Sequence, residues 1–293
     1  MELIQQYSSS EESDEESLNR NVTDIPLNQE LENHPVTLEI FSEKHHTTMS
    51  QSWGTILLSV WRAPPLAKTK LKQACHRVLE QLPAIAQNYK VEPLYNETFR
   101  GYSQTPIHIS YSLPLFINNR DSNLAKQILS EETKRLKIPS SLVHQEAVDK
   151  SNPLSSILQK NPKKVVRLKF DKKMLLLPGD RGFNNQIYLC ARIQQTPDTR
   201  EFFQAIDDGI LRRLFAECDV EAFGTKTKGL EHISILKGRV ITKPFSEESL
   251  KQLSEQLEQI DLSDLLGDIN VDLDRIELDT GASTTEVQAR LFT

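Results

Sequence analysis

The chain has 293 residues, 38% hydrophobic and 26% charged, the balance of a water-exposed globular protein with enough apolar side chains for a core. Its formal charge of −6 hides a segregation: nine acidic residues face Arg20 alone in 1–33, twelve face three basic ones in 246–293, and the stretch between carries +11. No window reaches the ~18 apolar residues a membrane helix needs and the polar, acidic opening is unlike a secretory leader, so a membrane span is excluded and a soluble protein of the cytoplasm or nucleus is expected.

Residues 1–50 are rich in Ser, Glu, Asp and Asn and too charged to bury anything; they read as a disordered acidic arm open to phosphorylation. Order is expected from "WGTILLSVW" (53–61), a continuous apolar run with the character of a buried strand, ended by Pro64 and Pro65. From Leu66 to Ala84, Leu71, Cys75, Val78, Leu79 and Leu82 recur at helical spacing. "IHISYSL" (107–113) alternates, with Ile107, Ile109, Tyr111 and Leu113 on one face and His108, Ser110 and Ser112 on the other. A second helix is expected over 121–136, with Asp121 or Ser122 as its N-cap. The polar stretch 138–164, with three prolines, is the best boundary in the chain. Beyond it "VVRLKF" (165–170) and "QIYLCARI" (186–193) read as a strand pair across a long turn. A helix capped by Asp198, with Glu201 reaching back, then carries Phe202, Phe203, Ile206, Ile210, Leu214 and Phe215 as its apolar stripe. "EHISILK" (231–237) repeats the first histidine pattern, with Ile233 and Ile235 opposite His232 and Ser234. A short helix over 246–259 and two strands in "DINVDLDRIELD" and "TEVQARLF" complete an α+β order in which each half brings one H-x-S strand to the core.

H-x-[ST] by itself is a weak pattern, and "KHHTTMS" (44–50) matches it twice in a polar arm with no apolar alternation. The pairs at 108/110 and 232/234 differ because isoleucines alternate with them. Two histidines satisfied by neighbouring backbone are the plain alternative. Side by side across one groove, however, two imidazoles suit phosphodiester transesterification: one takes the proton of a ribose 2′-hydroxyl, the other protonates the departing 5′-oxygen. An ordinary histidine pKa of ~6.5 lets both forms coexist near neutrality. The serine hydroxyls can donate to the non-bridging oxygens, where charge gathers.

"HISYS" and "HISIL", on strands in two halves of the chain, resemble the tandem motifs of the two-histidine (2H) phosphodiesterases. Within that superfamily, the run "DVEAFGTKTKGLEHISILKG", the acidic closing strands, the early "WGTILLSVW" and the acidic serine-rich arm are similar to the U6 snRNA 3′-end processing phosphodiesterases of fungi. The resemblance covers roughly residues 50–293 and implies the 2H phosphoesterase fold: one domain over 51–293 in two pseudo-symmetric lobes, about 51–150 and 165–293. Each lobe would be an antiparallel sheet with covering helices, the H-x-S strands central and facing one groove. His108 and His232 are implied as the catalytic pair, and Ser110 and Ser234 as phosphate-binding hydroxyls. The implied activity is that of a nuclear, metal-independent 3′→5′ exoribonuclease that trims the oligouridine or adenosine tail of U6 snRNA. Its product is a 2′,3′-cyclic phosphate, which some members open to a monophosphate. No cofactor, membrane or obligate protein partner is implied, and a monomer is expected. Family members carry a tyrosine shortly before the second histidine that stacks on the terminal base; "AFGTKTKGLEH" has none, leaving Phe223, Tyr111 and Tyr188 as candidates. Two rival functions are a 2H enzyme acting on tRNA-derived or small 2′,3′-cyclic phosphates and a non-catalytic RNA-binding protein.

Lys160, Lys163, Lys164, Arg167, Lys169, Lys172 and Lys173 line either an RNA track or a solvated edge strand. His76 and His144 read as surface histidines, and no carboxylate or cysteine shares the histidine face of either motif strand for a zinc site. Cys75, Cys190 and Cys218, odd in number and without metal-type spacing, read as buried, reduced thiols. "KNPKK" (160–164) is too short to be read as a nuclear address.

Overall fold

The computed structural model describes residues 37–38, 52–94, 107–145, 163–179, 186–222, 226–227, 230–279 and 287–292. The rest of the acidic arm, "KHHTTMS", Lys160 and Phe223 lie outside these described residues. The strands are β1 (Thr37–Leu38), β2 (Ser52–Val60), β3 (Tyr89–Pro93), β4 (His108–Ser110), β5 (Leu115–Asn118), β6 (Val143–Gln145), β7 (Lys164–Pro178), β8 (Gln186–Ile193), β9 (Val220–Ala222), β10 (Lys226–Thr227), β11 (His232–Val240), β12 (Asn270–Leu273), β13 (Arg275–Asp279) and β14 (Val287–Arg290). The helices are α1 (Pro65–Gln81), α2 (Pro83–Asn88), α3 (Ser122–Arg135), α4 (Pro197–Ile206), α5 (Arg212–Glu217), α6 (Glu247–Glu258) and α7 (Ser263–Leu266).

Two six-stranded antiparallel sheets form the frame, with helices packed on them; the small β1–β10 pair stands apart. One sheet runs β12–β7–β8–β11–β3, with β6 also on β7, and the other runs β14–β13–β2–β5–β9, with β4 also on β2. The α+β expectation therefore holds, but the sheets are not the two halves of the chain. β3 and β6, from the first half, pair with β11 and β7, while β9, β13 and β14, from the second, close the sheet of β2. The sheets therefore do not follow the bounds at 150 and 165, because polarity along the chain does not report which strand the next one pairs with.

The local chemistry explains most element ends. Pro64 and Pro65 stop β2 and start α1, where proline at the first turn sacrifices no hydrogen bond, and Pro83 separates α1 from α2. Ala67, Leu71, Ala74, Cys75 and Val78 form the buried face of α1. The cap of α4 is Thr196, which accepts from the Thr199 N–H at 3.1 Å, rather than Asp198; Pro197 takes the first helical position and pushes the cap one residue back. Ser246 caps α6 in the same way. The stretch read as one strand, "DINVDLDRIELD", is two: at Asp274 the chain leaves β12 in one sheet and enters β13 in the other. The Asp274 carboxylate marks that crossing by pairing with Lys163 and Arg275.

Candidate functional site

β4 is short because the chain bulges after Ser110. Tyr111 and Ser112 both donate their N–H to the Leu57 carbonyl, at 2.7 and 3.3 Å, and the Ser112 hydroxyl accepts the Leu57 N–H at 2.9 Å. Pro114 lacks an N–H, so the bulge lasts until β5 resumes the pairing at Leu115. Ser112 is buried and has left the polar face on which simple alternation put it. His108 and Ser110 remain there, half-buried, while Ile109 between them is fully buried. Their row partners across β2 are Val60 and Leu58.

β11 presents the second motif in the same manner: His232 and Ser234 are half-buried, and Ile233 and Ile235 are in the core. Their row partners on β8 are Arg192 and Cys190. β3 covers β11 only from Leu236 to Val240, and at the uncovered end β11 touches β4. The two H-x-S strands are thus neighbours across the seam between the sheets. Leu58 and Cys190 are buried on these polar faces yet stand outside the main core cluster, which makes them an apolar floor under the motif side chains.

His232 Nδ1 lies 2.6 Å from the Leu230 carbonyl oxygen. A carbonyl only accepts, so Nδ1 carries the proton and Nε2 keeps the lone pair. The His232 pKa is held below the ordinary histidine value, first by burial and then by the nearby charge of His108, against the Leu230 bond that raises it. The lowered value favours a neutral His232 ring, with Nε2 open to accept a proton. Ser234 Oγ is 3.4 Å from Cys190 Sγ, and burial pushes the Cys190 thiol up to about 12, so it stays protonated.

Other sequence expectations fare differently. Tyr111 cannot stack on a base: it is 1% exposed, its hydroxyl donates to Ser59 Oγ at 2.8 Å, and its ring packs on Phe202 and Phe203. Tyr188 is half-buried on the motif face of β8, its hydroxyl on Gln186 Oε1 at 3.0 Å. Two of the basic series on and beside β7 are engaged: Arg167 makes two bonds to Asp272, at 2.7 and 2.8 Å, and Lys163, just before the strand, pairs with Asp274. His76 and His144 are exposed, the first beside Glu80 and the second on the Ser141 carbonyl. All three cysteines are buried and free. Among the described residues no cluster of three His, Cys, Asp or Glu has metal-binding geometry, and no helix is long and apolar enough to cross a membrane. Sequence reading missed Arg192, clamped by Asp171 with Nε at 2.9 Å, and Lys237 as members of the motif face. The alternation in "QIYLCARI" groups Gln186, Tyr188, Cys190 and Arg192, but only the pairing register says that this face is the one bearing His232.

No protein-family model matches the chain, and no curated protein does. Solved structures do. Usb1 of Kluyveromyces marxianus with uridine monophosphate superposes at a TM-score of 0.53 and 12% identity, over 82% of this chain and 99% of that one. A second Usb1 structure from the same organism gives 0.51 and 13% with the same coverage. The chain has the two-sheet α+β fold of Usb1, the 2H phosphoesterase fold that its paired motifs led us to expect.

Proposed function

We propose that this chain is a two-histidine phosphodiesterase that shortens single-stranded RNA from its 3′ end, in the manner of the U6 snRNA 3′-end processing enzymes of the nucleus. The observation that carries the reading is the meeting of β4 and β11, with His108 close enough for its charge to depress the His232 pKa. The fold shared with Usb1, one structure of which holds uridine monophosphate, supports a substrate ending in uridine.

With Nδ1–H tied to Leu230 and the ring neutral at physiological pH, His232 is the base. Its Nε2 takes the proton of the penultimate 2′-hydroxyl, that oxygen bonds to phosphorus, and the bond from phosphorus to the 5′-oxygen of the last nucleoside breaks. Protonated His108 supplies the proton to the leaving oxygen. The products are a free nucleoside and a 2′,3′-cyclic phosphate on the shortened RNA. Ser110 and Ser234 donate to the non-bridging oxygens. Either atom can donate in the Cys190 Sγ–Ser234 Oγ contact; with phosphate bound, the serine gives its proton to the phosphate oxygen and accepts from the thiol.

The test is an oligouridine labelled on its last nucleoside. Label should be released by the native chain and survive EDTA, and it should stay in place when the penultimate ribose lacks its 2′-hydroxyl. Release from the deoxy substrate, or its abolition by EDTA, refutes the mechanism, because an activated water ignores the neighbouring sugar. Turnover of mononucleotide 2′,3′-cyclic phosphates without release of label would assign the chain to the small-substrate 2H enzymes instead.

A further inference from the structure

We propose that the RNA upstream of the scissile phosphate runs along β11, β8 and β3, with Lys237 and Arg239 on backbone phosphates and Tyr188 beneath a base. This deepens the reading above and rests on it. The argument begins with an irregularity in β11. Simple alternation from His232 and Ser234 would bring Leu236 and Gly238 onto the motif face and turn Lys237 and Arg239 into the core. The register instead shifts between Ser234 and Leu236: Ser234 pairs with Cys190, Leu236 with Leu189, Lys237 with Tyr188 and Arg239 with Gln186. One extra residue is absorbed, Leu236 and Gly238 stay buried, and the cations continue the row that His232 and Ser234 began.

The side chains agree with the register. Lys237 Nζ stands 6.0 Å from the centroid of the half-buried Tyr188 ring. On β3, Glu92 is the row partner of Lys237 and Lys90 that of Arg239. Lys90 Nζ is 2.8 Å from Glu92, whose carboxyl is held below its ordinary value by Lys90 first and by Arg239 and Lys237 after it. Three cations therefore share one carboxylate within this cluster, a surplus of two positive charges. β11 is an interior strand, so protection of a sheet edge does not explain Lys237 and Arg239. Successive positions on one face lie ~6.6 Å apart, so a stacking ring and phosphate-binding cations follow the serine at regular steps. An aromatic platform set among cations and continuous with the reacting centre fits a single strand of nucleic acid better than an acidic peptide, which has no bases to stack.

The experiment uses the full chain and a ten-residue oligouridine made uncleavable by a penultimate 2′-deoxyribose. Its affinity is measured against NaCl concentration for the native chain, for Lys237→Gln/Arg239→Gln, for Tyr188→Ala and Tyr188→Phe, and for a control, Lys134→Ala/Lys251→Ala, on exposed helix positions. Two lost phosphate contacts should reduce the salt slope by about 1.4 and the affinity at 0.15 M by on the order of tenfold. Tyr188→Ala should weaken binding by roughly ten- to a hundredfold and Tyr188→Phe should restore it. Binding and slope of the double variant equal to those of the native chain and control would overturn the track. So would a poly-glutamate of equal charge binding as tightly as the RNA. Release of label from cleavable oligouridine, run in parallel, reports separately on the catalytic reading: a chain that binds along the track yet cleaves nothing sinks that reading alone.

Discussion

Removing both histidines should cost little more than removing one. His232→Ala deletes the base and His108→Ala the acid, and each role typically contributes ~10²–10⁴-fold, or ~2.7–5.4 kcal/mol of barrier. Independent contributions would multiply to ~10⁴–10⁸-fold in the double variant. The structure argues that they are not independent. The two imidazoles sit on touching strands and the charge of one depresses the pKa of the other; in the proposed mechanism both serve a single passage of a proton across one phosphate. Once attack on phosphorus is unassisted, a poised acid has little developing charge to neutralise, so the double variant should fall within about tenfold of the slower single variant. Single-turnover cleavage of labelled oligouridine at saturating protein isolates the chemical step, and affinity for the uncleavable analogue checks that binding survives. A single variant retaining more than a tenth of the native rate, or a double variant whose loss equals the product of the two, would refute the paired role.

Further outcomes follow from the structure. Because burial and then the His108 charge hold the His232 pKa down, His108→Gln should raise it towards the ordinary ~6.5, read from the ring resonances in an NMR titration; an unmoved pKa would mean that the imidazoles do not sense each other. Unfolded chain takes up that proton first as pH falls through ~6.5, so native stability should drop from there down to the depressed native pKa, and less steeply in His108→Gln. A methyl at Gly238 would lie 2.7 Å from Ile187 Cγ1 and 3.1 Å from Tyr89 Cβ. Gly238→Ala should therefore cost ~1–3 kcal/mol in urea unfolding. Combined with Ile187→Ala it should cost less than the sum of the two single changes, and strict additivity would contradict the clash.

The motifs were legible because period-2 alternation is a local property: Ile109 and Ile233 are buried, and each stands between a histidine and a serine that are not. Helix stripes were legible for the same reason, Phe202, Phe203, Ile206, Ile210 and Leu214 all being buried. What failed was non-local or irregular. Tyr111 shares its predicted face with Ile107 and Ile109 and is buried with them, so the alternation already argued against stacking, and only the resemblance to a family with a stacking tyrosine kept it in play. Ser112 and Lys237 went to unexpected faces because a bulge, after Ser110 in one strand and after Ser234 in the other, resets the period. β3, β5 and β9, of three to five residues, are too short for a periodic signal and exist because longer strands offer them an edge.

Charge shows most clearly where reading along the chain and reading through space diverge. The +11 middle and the acidic closing segment look like separate bodies in sequence. In the fold the acidic segment lies against the basic one: Asp264 holds Arg77 at 2.7 Å, Asp268 faces Lys70 at 3.6 Å, Asp272 clamps Arg167 and Asp274 pairs with Lys163. A polyanion approaching from a distance therefore meets far less positive potential than the segment count suggests, since paired opposite charges cancel beyond a Debye length of ~8 Å. On the proposed function, attraction for RNA then has to come from local surplus, and the cluster of Lys90, Lys237 and Arg239 around Glu92 supplies one beside the proposed catalytic pair. A surplus of two charges implies a shallow salt dependence, about −1.4 in log affinity against log salt from this cluster for a single strand. The steep slope of a protein that coats nucleic acid would need many more contacts. For the proposed substrate, so small a surplus supports short engagement of a 3′ end rather than the coating of a length of RNA.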